Sequence, residues 1–231
     1  MKVLFLYDDN WHPWDVIERG MSAFGHSLDG CEFDFIRTAK DILTPEMLAE
    51  FSVVVNAKGN QINGANTEPW FEAGVTEVLP ADFEAYIRSG GGFLALHAGC
   101  AWWPGSVPIR EPDRFTGPNE DYLRLIGASF AGHPTRCEVT VYPAAEHPIT
   151  QGVSAFTGRD EHYRLTDFAP DIRAFLKSKS EEGGEQIAGY SRLLGSGRLC
   201  VLTPGHTLGI WKSPNFQRLL RNAIDWCGGV I

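Results

Sequence analysis

Three histidines in this chain fall just past predicted strand ends. His12 follows KVLFLY at 2–7, His97 closes GGGFLALH, and His206 lies in VLTPGHTLGIW. Imidazole changes charge near neutral pH, so such a set suits general acid–base work. Asp160 and Glu161 stand side by side in DEHYRL. Adjacent carboxylates on an extended segment point opposite ways, so at most one faces a site; Glu161 is the favoured one, placed to orient the histidines. Around His97 the small residues Ala95 and Gly99 stand two before and two after, as a strained strand-to-helix elbow requires. Cys100 has Ala98 and Trp102 at those places, and the indole would clash. His97 is therefore expected at the tip, with Cys100 buried one turn along as a small apolar group. His97, His206 and Glu161 form the candidate catalytic set.

Other residues are candidates for substrate contact. His133 and His147 both precede proline, which holds them extended at loop entries; His133 is read as a substrate-side contact and His147 as structural. His12, between Trp11 and Pro13, is read as binding or structural, and Trp11, Asn60, Asp160 and Tyr163 are grouped with it. Trp102, with Trp103 and Trp70, offers an apolar platform for a substrate ring. The sequence requires no cofactor. His97, His133, Glu161 and His206 are suitable donors for zinc or manganese, but no H-x-x-x-H or similar spacing supports coordination, so a divalent metal stays an open alternative.

The elements that must position these residues alternate. KVLFLY is a buried strand, a helical pattern follows from about Trp14 to Phe24, and CEFDFI at 31–36 alternates as a strand. Thr44 and Pro45 read as N-cap and first residue of a short helix, VVVN at 53–56 is a third strand, and a helix at 81–88 leads into GGGFLALH. This β-α-β-α-β order calls for a doubly wound, mostly parallel sheet with helices on both faces. In such sheets ligands bind beyond the carboxyl ends of the strands, where the histidines fall. Further strands are expected at 136–142, 172–178, 186–191 and 198–203. SPNFQRLLRNAIDWC closes the chain as a helix with Phe216, Leu219, Leu220, Ala223 and Ile224 on one face. Two long polar loops, about 57–79 and 101–118, have the length of functional loops.

With 231 residues, 43% of them hydrophobic, the chain can bury the core of a single domain spanning 1–231. Its net charge of −9 speaks against nucleic acid or an anionic membrane surface as partner and suits a small polar substrate. The apolar start MKVLFLY is too short for a signal segment, and no run of eighteen apolar residues occurs, so a cytoplasmic setting is expected. Five scattered cysteines without a C-x-x-C pair read as reduced thiols. A homo-oligomer is left open.

The segments LTPEMLAEFSVVV, GGGFLALHAG, GASFAGHP, EHPITQG, DEHYRL and PGHTLGIWKSPNFQRLLRNAIDW occur in an order that resembles ThuA-like proteins. These form the trehalose-utilisation family within the class I glutamine amidotransferase-like fold, and the resemblance covers nearly the whole chain. It implies a flavodoxin-like sheet in which His97 stands where amidotransferases keep their cysteine and His206 resembles their catalytic histidine. Amidotransferases follow that histidine with Pro-Glu; here Thr207 and Leu208 follow, which disfavours glutaminase chemistry. The resemblance further implies carbohydrate catabolism, with a sugar or 3-keto-glycoside as substrate and a lyase or isomerase reaction by acid–base chemistry. The alternative is a non-catalytic carbohydrate-binding or regulatory module.

Overall fold

The computed structural model describes residues 1–37, 43–59, 78–102 and 119–231. Asn60, Trp70 and Trp103 lie outside the described residues, as does most of both long loops.

Five parallel strands form the half of the sheet that the sequence pattern announces. They are β1 (Lys2–Leu6), β2 (Glu32–Ile36), β3 (Val53–Asn56), β4 (Gly92–Leu96) and β11 (Gly197–Leu202), in the order β2-β1-β3-β4-β11. That is the flavodoxin-like arrangement. The intervening segments form the helices α1 (Trp14–Ser22), α2 (Pro45–Leu48) and α3 (Pro80–Arg88). Thr44 is the N-cap of α2 with Pro45 at its first position, and α3 likewise opens on Pro80. A pre-set proline φ and an N–H that no helix bond needs explain both starts.

Side-chain alternation along β1 assigns the two faces. Val3 and Phe5 join Ile17 of α1 and Phe216, Leu219, Leu220 and Ala223 of α6 (Pro214–Cys227). Leu4 and Leu6 join Leu48, Phe83, Ile87 and Tyr122, contributed by α2, α3 and α4 (Asn119–Ile126). Both faces of β1, β3, β4 and β11 are thus dry, which is why these strands read as apolar runs, whereas the edge strand β2 is only partly buried and alternates.

Beyond β11 the sheet continues as an antiparallel ladder. It is built from β10 (Gly184–Leu194), β9 (Arg173–Ser180), β6 (Cys137–Pro143) and β7 (Phe156–Asp160), completing nine strands among the described residues. Three of these four strands, β6, β9 and β10, match expected strand patterns, whereas β7, with sequence FTGRD, does not: only its two end residues are buried. Four antiparallel pairings therefore balance four parallel ones across the sheet. A separate two-stranded ribbon pairs β5 (Ser129–Phe130) with β8 (Leu165–Thr166). None of the described helices is long and apolar enough to cross a membrane.

Candidate functional site

His97 occupies the bend after β4 with φ of +45°, a left-handed conformation that a non-glycine residue rarely adopts. The following residues form a single 3-10 turn, His97–Cys100, pressed against β3. A Cβ on Gly99 would stand 1.9 Å from the Asn56 carbonyl oxygen, so only glycine lets the turn lie this close. Cys100 is fully buried beneath the turn, its Sγ 3.0 Å from the His97 carbonyl. Burial pushes its thiol pKa well up, away from reactive thiolate.

Hydrogen bonds fix the histidine rings. His97 Nδ1 donates to the Thr203 carbonyl at 2.7 Å, because a carbonyl can only accept; Nε2 is thereby turned inward. His12, after β1, places Nδ1 at 2.8 and 3.0 Å from the two oxygens of Asp9 and also directs Nε2 inward. Asp9 is itself held by the backbone N–H groups of Trp11, His12 and Gly59. His206 rests on Asp160, whose buried carboxylate accepts from the backbone N–H groups of Gly205, His206 and Thr207 at 2.9, 2.9 and 3.2 Å. Gly205, with φ of +140°, makes that turn possible, and its carbonyl oxygen accepts from Trp211 Nε1–H at 2.7 Å.

Glu161 stands one residue beyond β7 and faces the opposite way from Asp160. Its Oε2 lies 3.1 Å from His206 Nδ1, 3.5 Å from His97 Nε2, 3.6 Å from His133 Nε2 and 3.8 Å from His12 Nε2. His97 Nε2 and His206 Nδ1 are 3.3 Å apart. The Tyr163 hydroxyl sits 3.1 Å from His97 Nε2 and 3.2 Å from His12 Nε2, with its ring stacked on His97. The β5–β8 ribbon sets Tyr163 beside His133, through the bonds Ala131 N–H to Arg164 and Arg164 N–H to Gly132. One ligand atom each from His12, His97, Glu161 and His206 lies within 4.8 Å of the others.

The electrostatics follow from burial and pairing. Burial keeps His97 neutral, lowering its pKa. Burial also opposes charge on His12, but Asp9 and then Glu161 outweigh it and raise this imidazole to about 9. Glu161 is desolvated, yet hydrogen bonds from His12, His206 and His97 hold its carboxyl far below the ordinary range. Burial raises the Tyr163 phenol well above its usual value, so it is a proton donor. Lys58, at the end of β3, is fully buried, which lowers its ammonium to about 7 against the pull of Asp9 and Asp8; it donates to the Arg37 carbonyl at 2.9 Å.

The structure gathers His97, His206, Glu161, His12 and Tyr163, with His133 at the rim. It moves two of the expected contacts elsewhere. Trp102 is 1% exposed and stacked on Tyr122 at 3.8 Å between ring centroids, so it is core and not a ring platform. Asp160 spends both oxygens on the His206 turn and positions it from beneath. Trp11 stays 57% exposed beside the site. Asp9, buried and bonded to His12 Nδ1, is a site residue outside the candidate set; an acid three residues before a histidine at a strand end is the sequence signal that marks it. His147 is apart from the cluster, bonded to Ser191 and capping the 3-10 turn at Pro148–Thr150. It lines a groove of about 500 Å³ with Arg173, Arg192 and Trp226. Arg192 there is committed to Asp171 and to two backbone carbonyls, so the chemistry belongs to the strand ends.

A family model described as ThuA, trehalose utilisation, matches residues 2–227. Among solved structures, a putative ThuA-like protein from Bacteroides uniformis is similar at 18% identity and TM-score 0.72, with 98% of this chain and 91% of that one covered. A cytoplasmic protein from Salmonella typhimurium is similar at 16% identity and TM-score 0.62, covering 100% of this chain and 98% of its own. A β-galactosidase from Bacillus circulans matches 98% of this chain with 31% of its own length, at 9% identity and TM-score 0.60. At these identities the likeness is one of fold. No curated protein matches the sequence.

Proposed function

The chain belongs to the ThuA, trehalose-utilisation family, and from that membership and the cluster at its strand ends we propose that it is an enzyme of carbohydrate breakdown, acting on the carbon beside a ketone of an oxidised sugar. The family ties it to carbohydrate utilisation; the reaction is inferred from the site. In a 3-keto-glycoside the ketone acidifies the C2 proton. A base removes that proton, and the C2–H electron pair moves to the ketone oxygen. When the carbonyl re-forms, the C1 oxygen substituent leaves and takes up a proton from an acid; alternatively a proton returns to the enediolate and the sugar is isomerised.

The observation that carries this reading is the convergence of Glu161 with three inward-facing imidazole nitrogens and the Tyr163 hydroxyl, at the carboxyl ends of β1, β4 and β11. His97, His206 and Glu161 are its central machinery. Five free cysteines and the cytoplasmic Salmonella neighbour support a cytoplasmic setting.

The test is exchange of the C2 proton of 3-keto-glycosides into deuterated water, followed by NMR. His97→Asn is the informative variant, because asparagine tolerates the left-handed backbone while removing the imidazole. Exchange by the wild type and its loss in the variant are expected. Tight sugar binding without exchange by the wild type would reassign the protein as a non-catalytic carbohydrate-binding module.

A further inference from the structure

We propose that His12 Nε2, His97 Nε2, His206 Nδ1 and Glu161 Oε2 form a binding centre for one divalent first-row transition ion. Their spacing is the first ground. Ligand atoms about 2.0–2.2 Å from a common ion stand about 3–3.5 Å from their neighbours; Glu161 Oε2 lies 3.1, 3.5 and 3.8 Å from the His206, His97 and His12 nitrogens, His97 Nε2 lies 3.3 Å from His206 Nδ1, and all four atoms fall within 4.8 Å of one another.

The second ground is the outer layer of bonds. Metal-binding histidines give their other ring N–H to a carboxylate or a backbone carbonyl, which fixes tautomer and orientation. Asp9 does this for His12 and the Thr203 carbonyl for His97. Both inward Nε2 atoms are therefore aimed by bonds made on the far side of the ring, and His97 is 4% exposed. His206 is fixed differently, by the three backbone bonds its turn makes to Asp160.

The donor set selects the ion class. Three imidazoles and a single carboxylate suit zinc or manganese; calcium and magnesium take mainly oxygen ligands. A dication also offsets the paired negative charges of Glu161 and buried Asp9. The donors come from four separate segments of the chain, so no short motif announces them. Among the described residues, this is the group of histidines, cysteines and carboxylates whose ligand atoms converge in this way.

The centre shares His97, His206 and Glu161 with the proposed sugar chemistry and deepens that reading, on which its catalytic role rests. When bound, the ion supplies Lewis-acid polarisation of a carbonyl oxygen. The four ligands then hold the ion, and Tyr163 and His133, outside the set, are left to move protons. His133 donates its Nδ1–H to the Pro134 carbonyl, which turns its Nε2 toward Glu161 at 3.6 Å.

The experiment treats full-length protein with chelator, reloads it with zinc or manganese chloride, desalts it, and measures metal content and melting temperature. About one ion per chain and a raised melting temperature are expected. Cobalt(II) should give a visible ligand-field spectrum. Glu161→Gln and His206→Ala should each weaken retention at least about 10-fold and change that spectrum, whereas His133→Ala should leave both as in wild type. Absence of retained ion and of any thermal shift with either metal would overturn the proposal, as would retention that Glu161→Gln and His206→Ala leave intact. Ion binding without C2 exchange sinks the sugar reading and leaves the metal centre. Exchange by protein that binds no ion does the reverse.

Discussion

His97 holds a strained backbone conformation, and such strain persists only where the surroundings over-determine it. Here the Thr203 carbonyl, the stacked Tyr163 ring and the Gly99 contact to β3 do so. The ring at the elbow is thus the presented group and the thiol behind it is packing. Cys100→Ser should leave turnover within a few-fold, and alkylation of native Cys100 should be slow; rapid stoichiometric labelling with loss of function would reverse the assignment. At this scale the sequence names His97, His206 and Glu161, and the fold brings them together. It does not show that His12 completes the group, because the bond that turns His12 inward depends on where Asp9 lies. Nor does residue type distinguish Trp102 in the core from a tryptophan at a pocket wall, since both sit in a loop after an apolar strand.

Elements hold these residues through a few backbone contacts, so substitutions there should disturb geometry before chemistry. Gly99→Ala places a methyl group against the Asn56 carbonyl, which must push β3 and the His97 turn apart. A loss of about 1–3 kcal/mol of stability is expected from overpacking this contact, read as a lower urea midpoint; an unchanged midpoint would show that the turn has room to move. Asp160→Asn should separate positioning from reaction. It removes the charge that three N–H groups share and should lower the melting temperature together with activity. Glu161→Gln should cost on the order of 10²-fold in turnover while the melting temperature of metal-free protein barely moves. If the two variants behave alike in both measurements, the distinction between support and reaction fails. Sequence periodicity reveals β1, β3 and β4 because both faces of these strands are buried. β7 escapes it: Phe156 and Asp160 are its buried residues, and the burial of Asp160 is explained by a turn 45 residues away.

The whole sheet joins a parallel half, whose strand ends carry His12, His97 and His206, to an antiparallel half that returns Glu161 to them. The β-α-β pattern makes the first half legible, whereas the return of β7 rests on pairings that only the folded chain displays. The groove on the antiparallel side makes a prediction about the stability of the molecule as a whole. Burial, with the nearby charge of Arg173 adding to it, lowers the pKa of His147 to about 4, against about 6.5 in an unfolded chain. Its ring is packed against Phe175 and Trp226, bonded to Ser191, and accepts from the Ile149 N–H. Between those two pH values the unfolded chain takes up a proton that the folded one refuses. The stabilisation His147 gives is therefore complete above about pH 6.5 and falls away toward pH 4, with a slope of up to about 1.4 kcal/mol per pH unit. His147→Asn keeps an acceptor for the Ile149 N–H but removes the titration. Urea unfolding at pH 7, 6 and 5 should show the variant less stable than wild type at pH 7, with the gap narrowing as pH falls. A gap that stays constant across that range would mean that His147 is not held neutral by the fold.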